Sequence, residues 1–395
     1  MVRVSGLVAG ASMSVSYAFA APADFLAPPE FPTPPEIASP PGLAVPPGLA
    51  GSPELAAGAA CVFTTAVQAM TGKAGCSVIR LNSIAVPPGV TLDLTGLNPG
   101  TRVIFDGETT FGYAKWAGPL IAVSGTNIQV SGTLGHLINA NGQLWWDGKG
   151  NDNMKPKFFA AHKLLGKSTI MGLRVKNTPV QAFSIDGSSG LIITDVIINN
   201  ADGDRGNLGH NTDGFDVNQS TDITIQNCIV TNQDDCLAVN SGSNIKFLSN
   251  SCNNGHGISV GSVGFHTSNV VNGVIVKGCT VQNSQNGVRI KTVAGATGSV
   301  TGVTFDDIIL QNISKGGIVI QQDYQNGKPT GKPTTGVPIE QVTLNNIRGN
   351  VLPGGTNIYI LCANCSNWRA SLIRVTGGTN SNVCVGVPTG SGLPC

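Results

Sequence analysis

The sequence predicts an all-β chain wound as a single-stranded parallel β-helix, with a short helix capping its N-terminal end. Three observations predict it. A ten-residue phrase returns along the middle of the chain, its copies alternate apolar and β-branched residues without helical periodicity, and each full copy ends in asparagine. A repeat of 20–50 residues implies stacked units that bury a shared core, and units made only of short strands and Asn/Gly turns stack as coils about 4.8 Å apart.

The phrase reads STIMGLRVKN at 168, LIITDVIINN at 191, ITIQNCIVTN at 223 and IKFLSNSCNN at 245. It continues as VIVKGCTVQN at 274, VTFDDIILQN at 303 and, slipped, VTLNNIRGN at 342. The closing residues Asn177, Asn200, Asn232, Asn254, Asn283 and Asn312 are 23, 32, 22, 29 and 29 residues apart. Asparagine tolerates left-handed dihedrals and can hydrogen-bond its copies above and below, so a ladder at one turn is expected. A leucine-rich repeat would need L-x-x-L-x-L, which is absent. Composition agrees: of 395 residues 11% are charged and 5% aromatic, with 52 glycines, a balance that favours strands and turns.

Taken in order, the N-terminus reads as an export signal over 1–20. Arg3 precedes an apolar stretch of small residues, and Ala18-Phe19-Ala20 fits the small-x-small cleavage pattern. Residues 21–57 are crowded with proline and form a linker or pro-segment outside the fold. The folded domain is expected over 58–395, opening with a helix within CVFTTAVQAMTGK, 61–73. No later apolar run is long enough to span a membrane. Formal charge is +1; without Arg3 and the acids Asp24, Glu30, Glu36 and Glu54 of the first 57 residues, 22 basic and 18 acidic residues leave +4. That is too mild for a nucleic-acid partner. Ten cysteines suit an exported, disulfide-bonded chain, and the Cys362/Cys365 pair reads as a small disulfide loop, since no second CxxC or His pair accompanies it as a metal site would require. Asn218, Asn312 and Asn364 lie in N-x-S/T sequons and are candidate glycosylation sites.

After each asparagine comes a second strand, with apolar pairs Phe183/Ile185, Phe215/Val217, Leu237/Val239, Ile258/Val260, Val288/Ile290 and Ile318/Ile320. In this frame Asp213, Asp235 and His256 share one position on three consecutive coils, and Asp234 lies one residue earlier, in the turn. Arg289 and Lys291 occupy the outward positions of the next coil. Three acids, one histidine and two bases are expected to converge on a patch about 15 Å long. A lone Asp-Asp in a turn is ordinarily a solvated corner or part of a calcium loop. Convergence of three carboxylates adds repulsion without helping the fold, and so points to chemistry or a bound cation. Paired carboxylates suit glycosidic cleavage: one stays protonated to serve the leaving oxygen while another, ionised, activates water or attacks the sugar. Arg289 and Lys291 suit an anionic group on that sugar.

The blocks NTDGFD (211–216), NQDDCLA (232–238), GHGISVGSVG (255–264) and VRIKT (288–292), with LWWDGKG at 144–150, resemble those of the fungal polygalacturonases of glycoside hydrolase family 28. The resemblance runs from about residue 58 to the C-terminus. It implies a right-handed, pectin-lyase-like β-helix, secreted and monomeric, that inverts the anomeric centre of α-1,4-linked polygalacturonate without metal or other cofactor. By matching motif, Asp234 would be the general acid, Asp213 and Asp235 would position and deprotonate water, and His256 would sit beside the acid. Arg289, Lys291 and, by a looser motif, Tyr324 would bind the substrate. The resemblance also implies bridges Cys61–Cys76, Cys236–Cys252, Cys362–Cys365 and Cys384–Cys395, leaving Cys228 and Cys279 as buried thiols. Stacking alone would set Asp213 and Asp235 about 5 Å apart, a separation that ordinarily favours retention. The alternatives are a rhamnogalacturonan- or substituted-pectin hydrolase on the same fold, a calcium-dependent pectate lyase, and a non-catalytic glycan-binding β-helix. With no long insertion across the cleft, endo attack is expected.

Overall fold

The computed structural model describes residues 59–151 and 154–395. The expected signal (1–20), the proline-rich segment (21–57) and the expected boundary at residue 58 lie outside the described residues. Among the described residues, strands form a 22-stranded and a 12-stranded sheet, and pairing between coils is parallel throughout. The one antiparallel pair joins Tyr324–Gln325 to Lys328–Pro329 in a hairpin. This is a right-handed parallel β-helix. Among the described residues, no helix is long and apolar enough to cross a membrane.

The sequence frame of the second strands is the observed register: Phe183 pairs with Phe215, Phe215 with Leu237, Leu237 with Ile258, Ile258 with Val288 and Val288 with Ile318. These side chains point inward into one continuous apolar core. On the early coils the filling is aromatic, with Phe183 stacked on Phe215 at 5.4 Å between centroids and 23° between planes. Rings in this offset contact add about 0.5–1.5 kcal/mol beyond the area they bury.

The first five copies of the ten-residue phrase are each two strands of the larger sheet joined by a corner, and the last two bend at the same place within single strands, Ser299–Ile313 and Ile339–Val351. The fifth residue of the phrase is left-handed in every copy: Gly172, Asp195, Asn227, Ser249, Gly278, Asp307 and Asn346, with φ between 50° and 66°. The closing asparagines also share one position, because Lys176, Asn199, Thr231, Asn253, Gln282 and Gln311 pair in succession just before them. Their conformations split, however. Asn177, Asn254, Asn283 and Asn312 are left-handed as expected, and Asn312 Nδ2 donates to Asn283 Oδ1 at 3.1 Å. Asn200 and Asn232 instead turn their amides inward: Asn200 holds Thr178 through both amide atoms, and Asn232 Nδ2 donates to the carbonyls of Thr212 and Asp235. Both side chains are fully buried, so each must satisfy backbone groups that water cannot reach.

The N-terminal element is shorter than the sequence suggested. Cys61 belongs to a strand, Ala59–Phe63, and the helix is confined to Ala66–Gly72, started by Thr65, whose hydroxyl accepts from the Gln68 N–H. Pairing of Cys61 with Ile79 in the first rung explains the trimmed start. The four bridges present are Cys61–Cys76, Cys236–Cys252, Cys362–Cys365 and Cys384–Cys395. Cys228 and Cys279 are buried thiols on either side of Asn250, and burial pushes both up to about 12.

Candidate active site

The site lies on the outer face of the smaller sheet, on five successive strands that begin at Phe215, Asp235, Gly257, Asn286 and Gly316. A cleft of about 570 Å³ crosses it, and Asp213, Asp234, Asp235, His256, Arg289, Lys291 and Tyr324 all line that cleft. The structure therefore brings together every residue the sequence singled out for catalysis or binding.

One register differs from the sequence frame. Asp235 pairs with Gly257 rather than with His256, because the strand Asp235–Val239 carries an irregularity before Leu237. His256 is opposite Asp234 instead: its N–H donates to the Asp234 carbonyl at 2.7 Å, and Nδ1 lies 2.8 Å from Asp234 Oδ1. The extra residue is Cys236, buried and bridged to Cys252 of the next coil. Counting apolar pairs could not reveal this shift, which a bulge makes locally. It also explains how adjacent aspartates share a face. Asp234 stays in the turn, Asp235 opens the strand, and the Asp235 N–H donates to Asp234 Oδ1 at 2.8 Å.

The two carboxylates have different surroundings. Asp235 is 2% exposed and fully engaged. Arg289 Nη2 donates to Oδ1 at 2.6 Å, Ser259 Oγ to the same oxygen at 2.9 Å, and Lys291 Nζ to Oδ2 at 2.7 Å. Burial pushes its proton affinity up, but the adjacent Arg289, Lys291 and His256 outweigh burial and hold the carboxyl well below the usual carboxylate range. Asp234 is more open; beyond His256, it accepts at Oδ2 from Asn211 Nδ2 at 3.0 Å.

Asp213 is the opposite of Asp235. It is buried, its Oδ1 has no hydrogen-bond partner, and burial together with Asp234, Asp216 and Asp235 raises it well above the usual range. Asp216 behaves alike: burial first, then Asp235 and Asp234, lift it to about 7 against the pull of Lys157. The sequence reading passed over Asp216, although its outward position between Phe215 and Val217 was visible. It shares a ladder with Ser184, Ala238, Ser259 and Arg289.

The two bases already have partners within the protein. Arg289 Nε also donates to Ser259 Oγ at 3.0 Å, and Lys291 Nζ sits 5.0 Å from the Tyr324 ring centroid. Tyr324 in turn meets Phe265 edge-on, with centroids 6.2 Å apart. The ligand atoms of Asp234, Asp235 and His256 lie within 4.8 Å of one another, a spacing that could suit a cation. Asp235 spends both its oxygens on Arg289 and Lys291, so the donor set is charge-balanced by side chains and is a poor fit to calcium, which needs six to eight free oxygens. Among the sequons, Asn218 lines the cleft, where a glycan would fill it, whereas Asn312 and Asn364 are exposed.

Residues 76–395 match the family described as glycosyl hydrolases family 28. The chain belongs to that family. Its family-28 relatives include Endopolygalacturonase 1 of Colletotrichum lindemuthianum, 56% identical over 339 residues that cover 85% of this chain and 93% of the relative. A polygalacturonase of Cochliobolus carbonum is 56% identical over 335 residues, covering 84% and 92%. Among solved structures, endopolygalacturonase I of Stereum purpureum, complexed with two galacturonate, superposes with a TM-score of 0.76 at 39% identity over 82% of this chain and 96% of that one. An endo-xylogalacturonan hydrolase of Aspergillus tubingensis shares the fold, at TM-score 0.69 and 23% identity over 85% and 98%.

Proposed function

We propose that this family-28 hydrolase cleaves internal α-1,4-galacturonosyl bonds of polygalacturonate. The observation that carries this reading is the convergence of Asp213, Asp234, Asp235 and His256 with Arg289 and Lys291 in one cleft, in a chain 56% identical to an endopolygalacturonase.

Asp234 is the general acid. Its carboxyl lines the cleft at the turn beside Asp235, where it can reach the leaving glycosidic oxygen and donate to it. His256 and Asn211 fix the direction of that carboxyl. Water attacks the anomeric carbon as the C–O bond breaks, and its proton passes to the Asp213/Asp235 pair. Asp213 takes that proton in its ionised form, as the carboxylate of the pair with the higher proton affinity, while Asp235, held ionised by Arg289 and Lys291, orients the water. The anomeric centre inverts. Arg289 and Lys291 serve twice: they hold Asp235 ionised, and their remaining N–H groups take the galacturonate carboxylate, with Tyr324 beside Lys291.

We also infer export, supported by the N-terminal segment and four disulfides, and action as a monomer. The test separates hydrolysis from lyase chemistry. On polygalacturonate the enzyme should release reducing ends without ultraviolet-absorbing unsaturated product, and excess chelator should leave the rate unchanged. Unsaturated ends, or loss of activity on chelation, would replace this reading by a calcium-dependent lyase.

A further inference from the structure

The cleft is polar in two different ways on either side of the catalytic aspartates. Backbone hydrogen bonds at the start of the strands set the order of its lining coil by coil. Ala182, Gly214 and Gln285 donate to Asp213, Asp235 and Gly255 respectively, and Lys315 donates to Gln285. Lys315 therefore sits about three coils, roughly 14 Å, beyond the Asp234–Asp235 turn, while Gln181 and then Lys157 precede Asp213.

The C-terminal arm carries surplus positive charge. Arg289 and Lys291 share the single carboxylate of Asp235. Lys315 is exposed, lines the cleft and bonds only the neutral carbonyl of Gln285, at 2.7 Å. The N-terminal arm carries less: among its lining residues Lys157 is the one lysine outside an ion pair, and the buried acids Asp213 and Asp216 lie on the same side. Lys155 is buried and paired with Asp147 at 2.5 Å. Lys157 faces the buried acid Asp216 and lies 3.5 Å from Ser184 Oγ, and burial lowers the proton affinity of His162 despite Asp186 beside it. Beyond Lys157 the cleft continues into a second cavity of about 310 Å³ that shares Asn151, Lys157 and Gln181 with the first. Its walls are largely apolar, formed by Ala117, Pro119, Met154 and Ala160, and Met154 is 59% exposed. A free carboxylate placed there would lose water and meet one cation, Lys157, set beside the buried acid Asp216, whereas a methyl group would cover apolar surface.

We propose that the cleft is selective arm by arm: the C-terminal arm takes galacturonate units as free carboxylates, through Lys315 beyond Arg289 and Lys291, and the N-terminal arm accepts units whose carboxyl is a neutral methyl ester, seated against Ala117, Pro119, Met154 and Ala160. This rests on the polygalacturonate reading above. It makes the enzyme a hydrolase of partly esterified galacturonan that cuts at the border of an esterified block, with the block on one defined side.

The test is digestion of randomly, partly methyl-esterified polygalacturonate, followed by mass-spectrometric sequencing of the products. Methyl esters should be at least threefold more frequent two to three units from one class of newly made end, reducing or non-reducing, than from the other. Lys315→Gln should relax the ester-poor side and bring the ratio close to one, while lowering kcat/KM on fully de-esterified polygalacturonate about fivefold. Equal ester frequencies at both kinds of new end in the wild-type enzyme would overturn the proposal. So would an asymmetry that Lys315→Gln leaves intact. Failure to cleave de-esterified polygalacturonate at all would overturn the functional reading and this inference with it.

Discussion

Replacing Lys291 by methionine strips one of two cations from a carboxylate that is 2% exposed, and removes the 2.7 Å bond to its Oδ2. Arg289 and Ser259 still serve Oδ1, so the charge left behind is half-compensated. Breaking a buried ion pair from one side costs about 3–5 kcal/mol, and the surviving arginine puts this case near the lower end, about 3 kcal/mol. With unfolding entropy of about 2.1 cal/mol/K per residue over roughly 340 residues, 3 kcal/mol lowers Tm by about 4 °C. The informative companion is Lys291→Met with Asp235→Asn, which removes the stranded charge as well and should regain most of the loss. Differential scanning calorimetry of the wild type, both single variants and the double variant at pH 5 closes the cycle. Loss of less than about 1 kcal/mol in Lys291→Met, or a double variant no more stable than that single, would refute the claim that these groups form a coupled buried pair.

Asp234→Asn should lower kcat on polygalacturonate about 10³-fold with the circular dichroism spectrum unchanged, the middle of what a positioned proton donor contributes; retained turnover would remove the acid assignment. Stability should fall as pH rises from about 4 towards 7, because Asp213 and Asp216 have raised native pKa values, so their stabilising contribution is complete below the unfolded value near 3.9 and is lost through the native one, about 7 for Asp216. Asp235 acts in the opposite sense, its contribution being lost as pH drops below about 4 towards its depressed value, so Tm should peak near pH 4 and Asp216→Asn should flatten the upper limb by about 4 kcal/mol. Opening Cys236–Cys252 by a double serine substitution should cost about 3 kcal/mol for a loop of this length, and should depress kcat as well, because the bridge ties the Asp234–Asp235 turn to the coil bearing His256; unchanged kcat would show that the bulge holds without it. Tyr324→Leu should reduce kcat/KM about tenfold through Lys291, whose ammonium loses the ring beneath it.

The repeat made the fold legible because each coil must bury the same inward pair, so periodicity in the chain is periodicity in space. Phe215/Val217 and Leu237/Val239 announced their pairing through spacing alone, and with it the coil positions of Asp213 and Asp235. Two features escaped. The irregularity at Cys236 is a local exception to the alternation from which register is counted, and it moved His256 from Asp235 to Asp234. The inward turn of Asn200 and Asn232 depends on which backbone groups are stranded beneath them, a tertiary fact that an asparagine in a repeat does not carry. The corner residues from Gly172 to Asn346 were readable, since all seven are Gly, Asn, Asp or Ser at the fifth place of the phrase, but the closing asparagine was the more conspicuous repeat. Of the site residues, Asp216 was in plain view in NTDGFD, yet its proton affinity comes from its burial and from Asp235 and Asp234, which only folding brings near.

The length distribution of products from polygalacturonate, followed from the first percent of cleavage, bears most directly on whether this open groove works on mid-chain bonds. A ladder of oligomers that shortens over time, with viscosity collapsing well before monomer accumulates, is what the arrangement of Asp213, Asp234 and Asp235 midway along an extended cleft requires. Monomer released from the outset while the polymer keeps its length would contradict it.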